Sequence, residues 1–406
     1  DDKDEYKGEC YFLDAYYHFR LLNTYGPIPI VSEMMDPNIT KNEMPGRSHF
    51  DYCVKYIVDK LDQAAYLLPD KRELSDAGRA DATICKCIKA RVLLYAASPL
   101  WNGSFYDKSW KNSKYETPGY GNELVSSQYE RKKWDNALVA CQEALTAAKK
   151  AGYNLFDIET ANSIAEKQKV PLPFIPGKEE DTPENTLFKE RVRMFQYLVA
   201  SNESDGNNEL IWGVNTKRMG PSDYWPTISQ APRKIIKTNG TTWHSMSGWS
   251  FNAPTLNTVQ RFYTENGKLP ADDNDFYRKS EWYIRFYEGT SSPALERDDI
   301  DKEDVKNDII KFNVGREARY YAWIAFDGCQ YATNIRDGEP LWLNLKNSAT
   351  NGYVLNDRNY TGTGFMTKKF MTPDIKYDKT NKVTGNTTRL PFIRMAELYL
   401  NLAECY

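Results

Sequence analysis

With 406 residues, the chain has the length of one large domain or of two to three ordinary ones. Its formal net charge of −3 leaves no basic field for nucleic acid. No apolar run is long enough to cross a bilayer, and no targeting segment opens the chain.

The first half reads as helices. Phe12, Ala15, Tyr16, Phe19 and Leu22 recur at helical spacing, and Gly26 with Pro27 stops the run. A second helix is predicted from Ser48, with Asp51 as a weak capping-box partner. Its inward face is Phe50, Val54, Ile57, Val58, Leu61, Ala65 and Leu68, and Pro69 ends it. A third covers Ala82 to Ser98, with Ile84, Ile88, Val92, Tyr95 and Ala96 inward and Pro99 as its stop. A fourth runs from Tyr129 to Ala151, carries Trp134, Ala137, Leu138, Cys141, Leu145 and Ala148 on one face, and closes at Gly152. Its Trp…Ala-Leu…Ala-Leu texture is that of a tetratricopeptide helix, in which small residues let neighbours approach closely.

After Gly152 the pattern loosens. A Pro- and charge-rich connector spans Pro171 to Pro183, and a helix is predicted over Glu184–Ala200. Glu209 to Asn215 reads as a short strand. Met219 to Pro254 is rich in Gly, Pro, Ser, Thr and aromatics without a period, the mark of a long functional loop. Thr255 is placed to cap a helix through Leu256, Val259, Phe262 and Tyr263, ending at Gly267. Tyr320 to Phe326 reads as a strand, and Gly328 to Arg389 as mostly loop. The last segment, from Arg394, is amphipathic through Met395, Leu398, Tyr399, Leu402, Ala403 and Tyr406, with no cap following. A segment of a longer native chain is therefore expected. Of seven cysteines, Cys10, Cys53, Cys85, Cys87, Cys141 and Cys405 fall in helical segments and read as small core residues, not as a disulfide framework. The expected fold is mainly α: a tetratricopeptide-like helix-pair scaffold over residues 1–152, then a loop-rich part with a few short strands over 153–406. Residues 394–406 return to the scaffold, so that the whole forms one structural unit.

Six blocks, in order, carry a resemblance. They are GECYFLDAYYHFRLLNTYGPIPIV from Gly8, ARVLLYAASPLWNG from Ala90, ELIWGV from Glu209, APTLNTVQRFYTENG from Ala253, REARYYAWIAFDG from Arg316 and RLPFIRMAELYLNLAE from Arg389. Together they resemble the SusD/RagB family of Bacteroidota cell-surface nutrient-binding lipoproteins. The resemblance implies a tetratricopeptide-like scaffold, a lipid anchor in the outer membrane, and a SusC-like TonB-dependent transporter as partner. It also implies an oligosaccharide ligand, or in a minority of relatives a peptide. Members of that family begin with a signal peptide, a lipidated cysteine and further helix, and continue beyond the Arg-x-Ala-Glu helix.

Aromatics make up 14% of the chain, with ten Trp and 28 Tyr. A sugar ring offers an apolar C–H face and an edge of hydroxyls, so a binder needs flat rings beside hydrogen-bonding side chains. The Met219–Asn252 loop supplies Tyr224, Trp225, Trp243 and Trp249 as rings. Asp223, Gln230, Arg233, Asn239 and His244 accompany them. A secondary platform is expected after the third helix, from Trp101, Asn102 and Trp110 with Phe105 and Tyr106. Trp282 and Trp323 are expected in the core, and the Asp272–Asp275 cluster as a solvated turn. Arg394 and Glu397 are expected to pair on the surface. Three histidines without ligand spacing, no Walker loop and no nucleophile elbow leave no catalytic, metal or cofactor residues to name. Glycan binding without catalysis is the leading expectation. A peptide receptor, a helical glycoside hydrolase and a tetratricopeptide interaction scaffold stand as alternatives.

Overall fold

The structure, a computed structural model, describes residues 2–214, 230–232, 234–236, 242–244, 248–250, 252–287, 308–336, 338–346, 360–377, 383–385 and 389–406, with 234–236, 242–244 and 336 described by backbone alone. The chain divides into two compact units. The first comprises Asp1–Leu155, Asn208–Gly213 and Pro391–Tyr406, and the second Phe156–Asn207 and Val214–Leu390.

Unit 1 is built on helices α1 (Asp2–Tyr25), α2 (Phe50–Leu67), α3 (Ala82–Ala97) and α4 (Arg131–Lys150), with the chain's last helix, α9 (Met395–Cys405), packed on α4 and α3. Each helix follows its sequence signals. Asp2, Asp4 and Glu5 sit in the first turn of α1, where negative charge favours the helix dipole. Gly26 closes α1 at φ +67, a left-handed position open to glycine at little steric cost. At Gly8 a β-carbon would lie 2.8 Å from Leu68 Cγ, so the crossing of α1 over the end of α2 requires glycine. The cap of α2 differs from expectation. His49, one residue after Ser48, holds it, its Nδ1 accepting the Asp51 N–H at 3.1 Å. Ser48 is instead tied back through its own N–H to Ile28 O.

Helix α3 is buried on nearly every side, including both Cys85 and Cys87. That explains why its apolar residues spread around the helix: α2, α4 and α9 all pack on it. Small side chains on α4 (Ala137, Ala140, Ala144, Ala148) allow the close approach that paired helices need. All seven cysteines are free thiols, with Cys141 and Cys405 Sγ 3.9 Å apart. Cys10 is exposed, unlike the core role expected for it.

Asp81 caps α3, accepting the Ile84 N–H at 2.8 Å and the Arg72 N–H at 3.3 Å. Burial pushes its carboxyl up to about 6 from 3.8. A raised folded-state pKa favours the protonated form. The resulting stabilisation is complete below 3.8 and is lost as pH climbs through about 6. Asp81→Asn keeps a capping oxygen, so it is expected to flatten the stability profile across that window. Urea unfolding at a series of pH values checks this; a slope unchanged by the substitution contradicts it.

The end of the chain is locked by two clamps. Arg394 reaches Glu209 at 2.6 Å, while Glu397 accepts from Arg91 Nε at 2.7 Å and Nη2 at 2.5 Å. Arg394 and Glu397 therefore do not pair with each other: three residues apart, they serve Glu209, at the start of β1 (Leu210–Val214), and α3. Strand β10 (Leu390–Arg394) pairs with β1.

Unit 2 carries helices α5 (Ile158–Gln168), α6 (Pro183–Leu198), α7 (Leu256–Gln260) and α8 (Ala318–Trp323). Its strands are short antiparallel pairs: β2 (Lys234–Ile236) with β3 (Thr242–His244), β4 (Ile324–Phe326) with β7 (Phe365–Thr367), β5 (Gln330–Arg336) with β6 (Glu339–Trp342), and β8 (Lys376–Tyr377) with β9 (Val383–Thr384). Among the described residues no sheet has more than two strands. The 328–389 stretch read as loop thus holds most of them.

Arg316 organises this core. Fully buried, it donates to the carbonyls of Val259 (2.9 Å), Phe262 (2.8 Å), Phe312 (3.0 Å) and Tyr263 (3.4 Å). Its guanidinium also lies 4.3 Å from the Tyr320 ring centroid. Two sequence expectations fail here for that reason. Helix α7 stops at Gln260 rather than Gly267, because the carbonyls after it turn to Arg316. The Tyr320–Phe326 stretch starts as helix α8, not strand; this brings both tyrosine hydroxyls to Asn313, Tyr320 to its side chain (2.7 Å) and Tyr321 to its carbonyl (3.1 Å).

Trp282 is buried. Trp323 is only partly so, its indole N–H donating to Phe195 O at 3.0 Å. Asp273 is not solvated; it anchors its turn by accepting from Thr264 Oγ1, Asn266 Nδ2 and the Asp275 N–H. No group of three potential metal ligands occurs among the described residues, and no described helix is long and apolar enough to cross a membrane.

Candidate functional site

Unit 1 carries a ladder of aromatic rings. Phe50 on α2 stacks on Trp101 at 4.2 Å and 7°. Trp101 stacks on Phe105 (5.4 Å, 19°), and Phe105 on Trp110 (5.4 Å, 17°). Near-parallel rings at these spacings each add about 0.5–1.5 kcal/mol beyond area burial. The ladder starts in the core and ends at half-buried Trp110, while Tyr106, 87% exposed, lies against Phe105 at 4.6 Å. Arg47 lies 5.7 Å from the Trp110 ring centroid and is itself held by the carbonyls of Tyr25 and Pro27. The outermost rings thus stand on a fixed support.

This placement narrows the platform expected from Trp101, Asn102 and Trp110. Trp101 is only 6% exposed, and both ring faces are taken by neighbours. Asn102 is buried as a loop staple: its amide donates to Glu130 O at 3.1 Å, and its Oδ1 accepts the Glu130 N–H at 2.7 Å. Both serve the scaffold. The rings of this loop that reach the surface are Tyr106 and, in part, Trp110, which carries Phe105 and Arg47 against its ring.

A concavity of about 290 Å³ opens beside α2, α3 and α4. Val54, Val58, Leu93 and Ala96 line its apolar part, and Tyr120, Lys55 and Asn136 stand with them. Tyr120 stacks on His49 at 4.1 Å and 14°. It is presented by a turn whose flanking Gly119 and Gly121 both have positive φ. Sequence reasoning passed over Tyr120; its signal is the Gly-Tyr-Gly triplet. Lys133, also lining, is committed to Asp51 at 2.6 Å.

Of the loop residues expected to hold ligand, Asp223, Tyr224, Trp225, Arg233 and Asn239 lie outside the described residues. Trp243 and His244 belong to β3, where Trp243 is in register with Ile235 and His244 with Lys234. The root of this β2–β3 hairpin is anchored on both sides. Ser250 N–H donates to Ala231 O at 3.2 Å, and Tyr377 Oη to Pro232 O at 2.5 Å. Gln230 is buried, its carbonyl facing Tyr331 Oη at 3.5 Å. Trp249 is 39% exposed directly beside that anchor. Ser250 holds φ +56, a left-handed backbone that a non-glycine residue adopts only when its surroundings impose it.

The family model described as SusD family matches residues 208–406, and one described as starch-binding associating with outer membrane matches residues 1–85. A solved structure named BT4246 is 45% identical, with a TM-score of 0.84 over 100% of this chain. The chain belongs to the SusD/RagB family. It spans 63% of the length of BT4246. A SusD-like protein from Bacteroides fragilis shares the fold at 19% identity, with a TM-score of 0.60 over 100% of this chain and 58% of that one. A SusD-like carbohydrate-binding protein from the same species shares it at 15% identity, with a TM-score of 0.53 over 99% of this chain and 55% of that one. No curated protein sequence matches the chain. The SusD-family fold accounts for the helix pairs of unit 1 and for the short strands and long connections of unit 2.

Proposed function

We propose that the SusD-family protein containing this chain binds glycans at the cell surface without cleaving them. In this reading it is held at the outer membrane by an N-terminal lipid anchor, and it passes oligosaccharide to a SusC-like TonB-dependent transporter. The observation that carries the reading is the ring ladder ending at Tyr106 and Trp110: a supported aromatic shelf stacks on the C–H face of a sugar with little ordering of its own. Trp249, set on an anchored hairpin root, supplies a second aromatic with Tyr224, Trp225, Trp243, Asp223, Arg233 and Asn239 near it in sequence. The carbohydrate-binding relative from Bacteroides fragilis and the outer-membrane description of the model matching residues 1–85 support the same reading.

Isothermal titration with neutral oligosaccharides and, separately, with unstructured peptides tests it. Heat from a saccharide with no new reducing ends after prolonged incubation is expected. Heat from peptides alone favours a peptide receptor, and released reducing ends favour a hydrolase. Co-purification with a SusC-like barrel tests the partnership.

A further inference from the structure

Unit 2 contains a small, partly enclosed pocket lined by two cations. Lys368, following β7, and Arg193, on α6, both line it and are each 8% exposed. Thr333 on β5 and Gln330 line it too. The pocket's free volume is about 20 Å³, room for about one water-sized group.

The donors around this space are not satisfied by protein. Arg193 Nη1 donates to Asn162 Oδ1 (3.0 Å) and Nη2 to Val170 O (3.2 Å), but its buried Nε–H has no partner among the described residues. Thr333 Oγ1 is likewise buried without a partner. The Lys368 ammonium makes no hydrogen bond or ion pair within the described residues. Burial pushes its pKa down, and the opposing influence is the Cys329 thiol rather than a carboxylate. Gln330 is already committed, its side-chain oxygen accepting the Phe174 N–H at 2.9 Å. Glu190 acts on Arg193 and bonds Asn162 at 2.8 Å, but it is not among the residues lining the pocket. A buried, unpaired cation is costly, and buried charges in folded proteins are paired or hydrogen-bonded. Here an ammonium lines a void the size of a compact ion, and two other side chains that line it, Arg193 and Thr333, each hold a buried donor without a partner among the described residues.

We propose that this pocket binds a compact monoanion, a halide or the carboxylate head of a larger molecule, held by the Lys368 ammonium with Arg193 and Thr333 lining the site. The size excludes a whole sugar ring but admits the carboxylate of an acidic sugar. The proposal is independent of the aromatic shelf and stands whether or not neutral glycans bind.

Chlorine NMR of the protein in sodium chloride reads the site directly, because chloride exchanging through a protein site broadens the line. Excess broadening is expected in wild type and its loss in Lys368→Met. Thr333→Val, a milder change in a partly exposed strand residue, is expected to reduce it and keeps the test available should the lysine variant fail to fold. Sodium acetate and sodium glucuronate are then titrated as competitors. Displacement at equal concentrations assigns a free small anion; displacement by much less glucuronate assigns the head of an acidic saccharide. Line widths equal among wild type and both variants overturn the proposal; broadening that is lost in the variants but that neither carboxylate displaces assigns a halide.

Discussion

Arg316→Met is expected to destabilise unit 2 more than any other single substitution among the described residues. The guanidinium is fully buried and donates to four carbonyls; Val259 O also accepts the Phe262 N–H and Tyr263 O the Glu317 N–H, so Phe262 and Phe312 depend on the arginine most. Methionine fills similar space but donates nothing, so the carbonyls of Phe262 and Phe312 are left dry. Each buried polar group deprived of its partner costs about 1–3 kcal/mol, and two together amount to roughly 4 kcal/mol. That is a large share of the stability of an ordinary domain. Arg316→Lys keeps the charge but not the fork, and is expected to recover only part of the loss. Urea unfolding followed by circular dichroism checks both. A methionine variant with an unchanged midpoint would show that water reaches these carbonyls and that the arginine does not organise the core.

The second large effect concerns binding. Trp110→Ala removes the last ring of the ladder, and Trp249→Ala the exposed ring at the hairpin root. Each is expected to weaken glycan binding by about tenfold, the size of one aromatic stacking contact of about 1.5 kcal/mol, with the melting temperature of Trp249→Ala near that of wild type and that of Trp110→Ala lower by the loss of its stack on Phe105. Trp101→Ala is the control that separates the roles. It removes a ring between Phe50 and Phe105, and is expected to lower stability by about 3–5 kcal/mol. Calorimetric titration and thermal melts on the same samples distinguish these outcomes.

The helices of unit 1 were legible because each carries its own stripe and its own stop. Gly26, Pro69, Pro99 and Gly152 all fall where the helices end or just beyond. Helix α5 was missed although Asp157 caps it by accepting the Thr160 N–H, a signal hidden within a short run of eleven residues. What local pattern cannot show is a tertiary demand on the backbone. The early end of α7 and the helical start at Ala318 both follow from Arg316, whose role depends on carbonyls more than fifty residues away in sequence.

The site was legible in kind but less so in detail. Trp101 and Trp110 look alike in sequence, each beside loop-forming residues. Only the partners separate them: Phe50 and Phe105 enclose the first, while the second ends the stack. The same holds for the terminal Arg-x-Ala-Glu segment, where spacing suggests a surface pair and the fold assigns Arg394 to Glu209 and Glu397 to Arg91. The family's order of blocks supplied what spacing could not, because it reports which distant segments share one fold.

Affinity electrophoresis of the chain in native gels, each containing one polysaccharide, tests the central claim most directly, with Trp110→Ala and Trp249→Ala run beside wild type. A glycan-binding shelf retards wild type in at least one gel and releases at least one of the two variants there. Equal mobility of all three proteins in every gel, matching that in gels without polysaccharide, contradicts it.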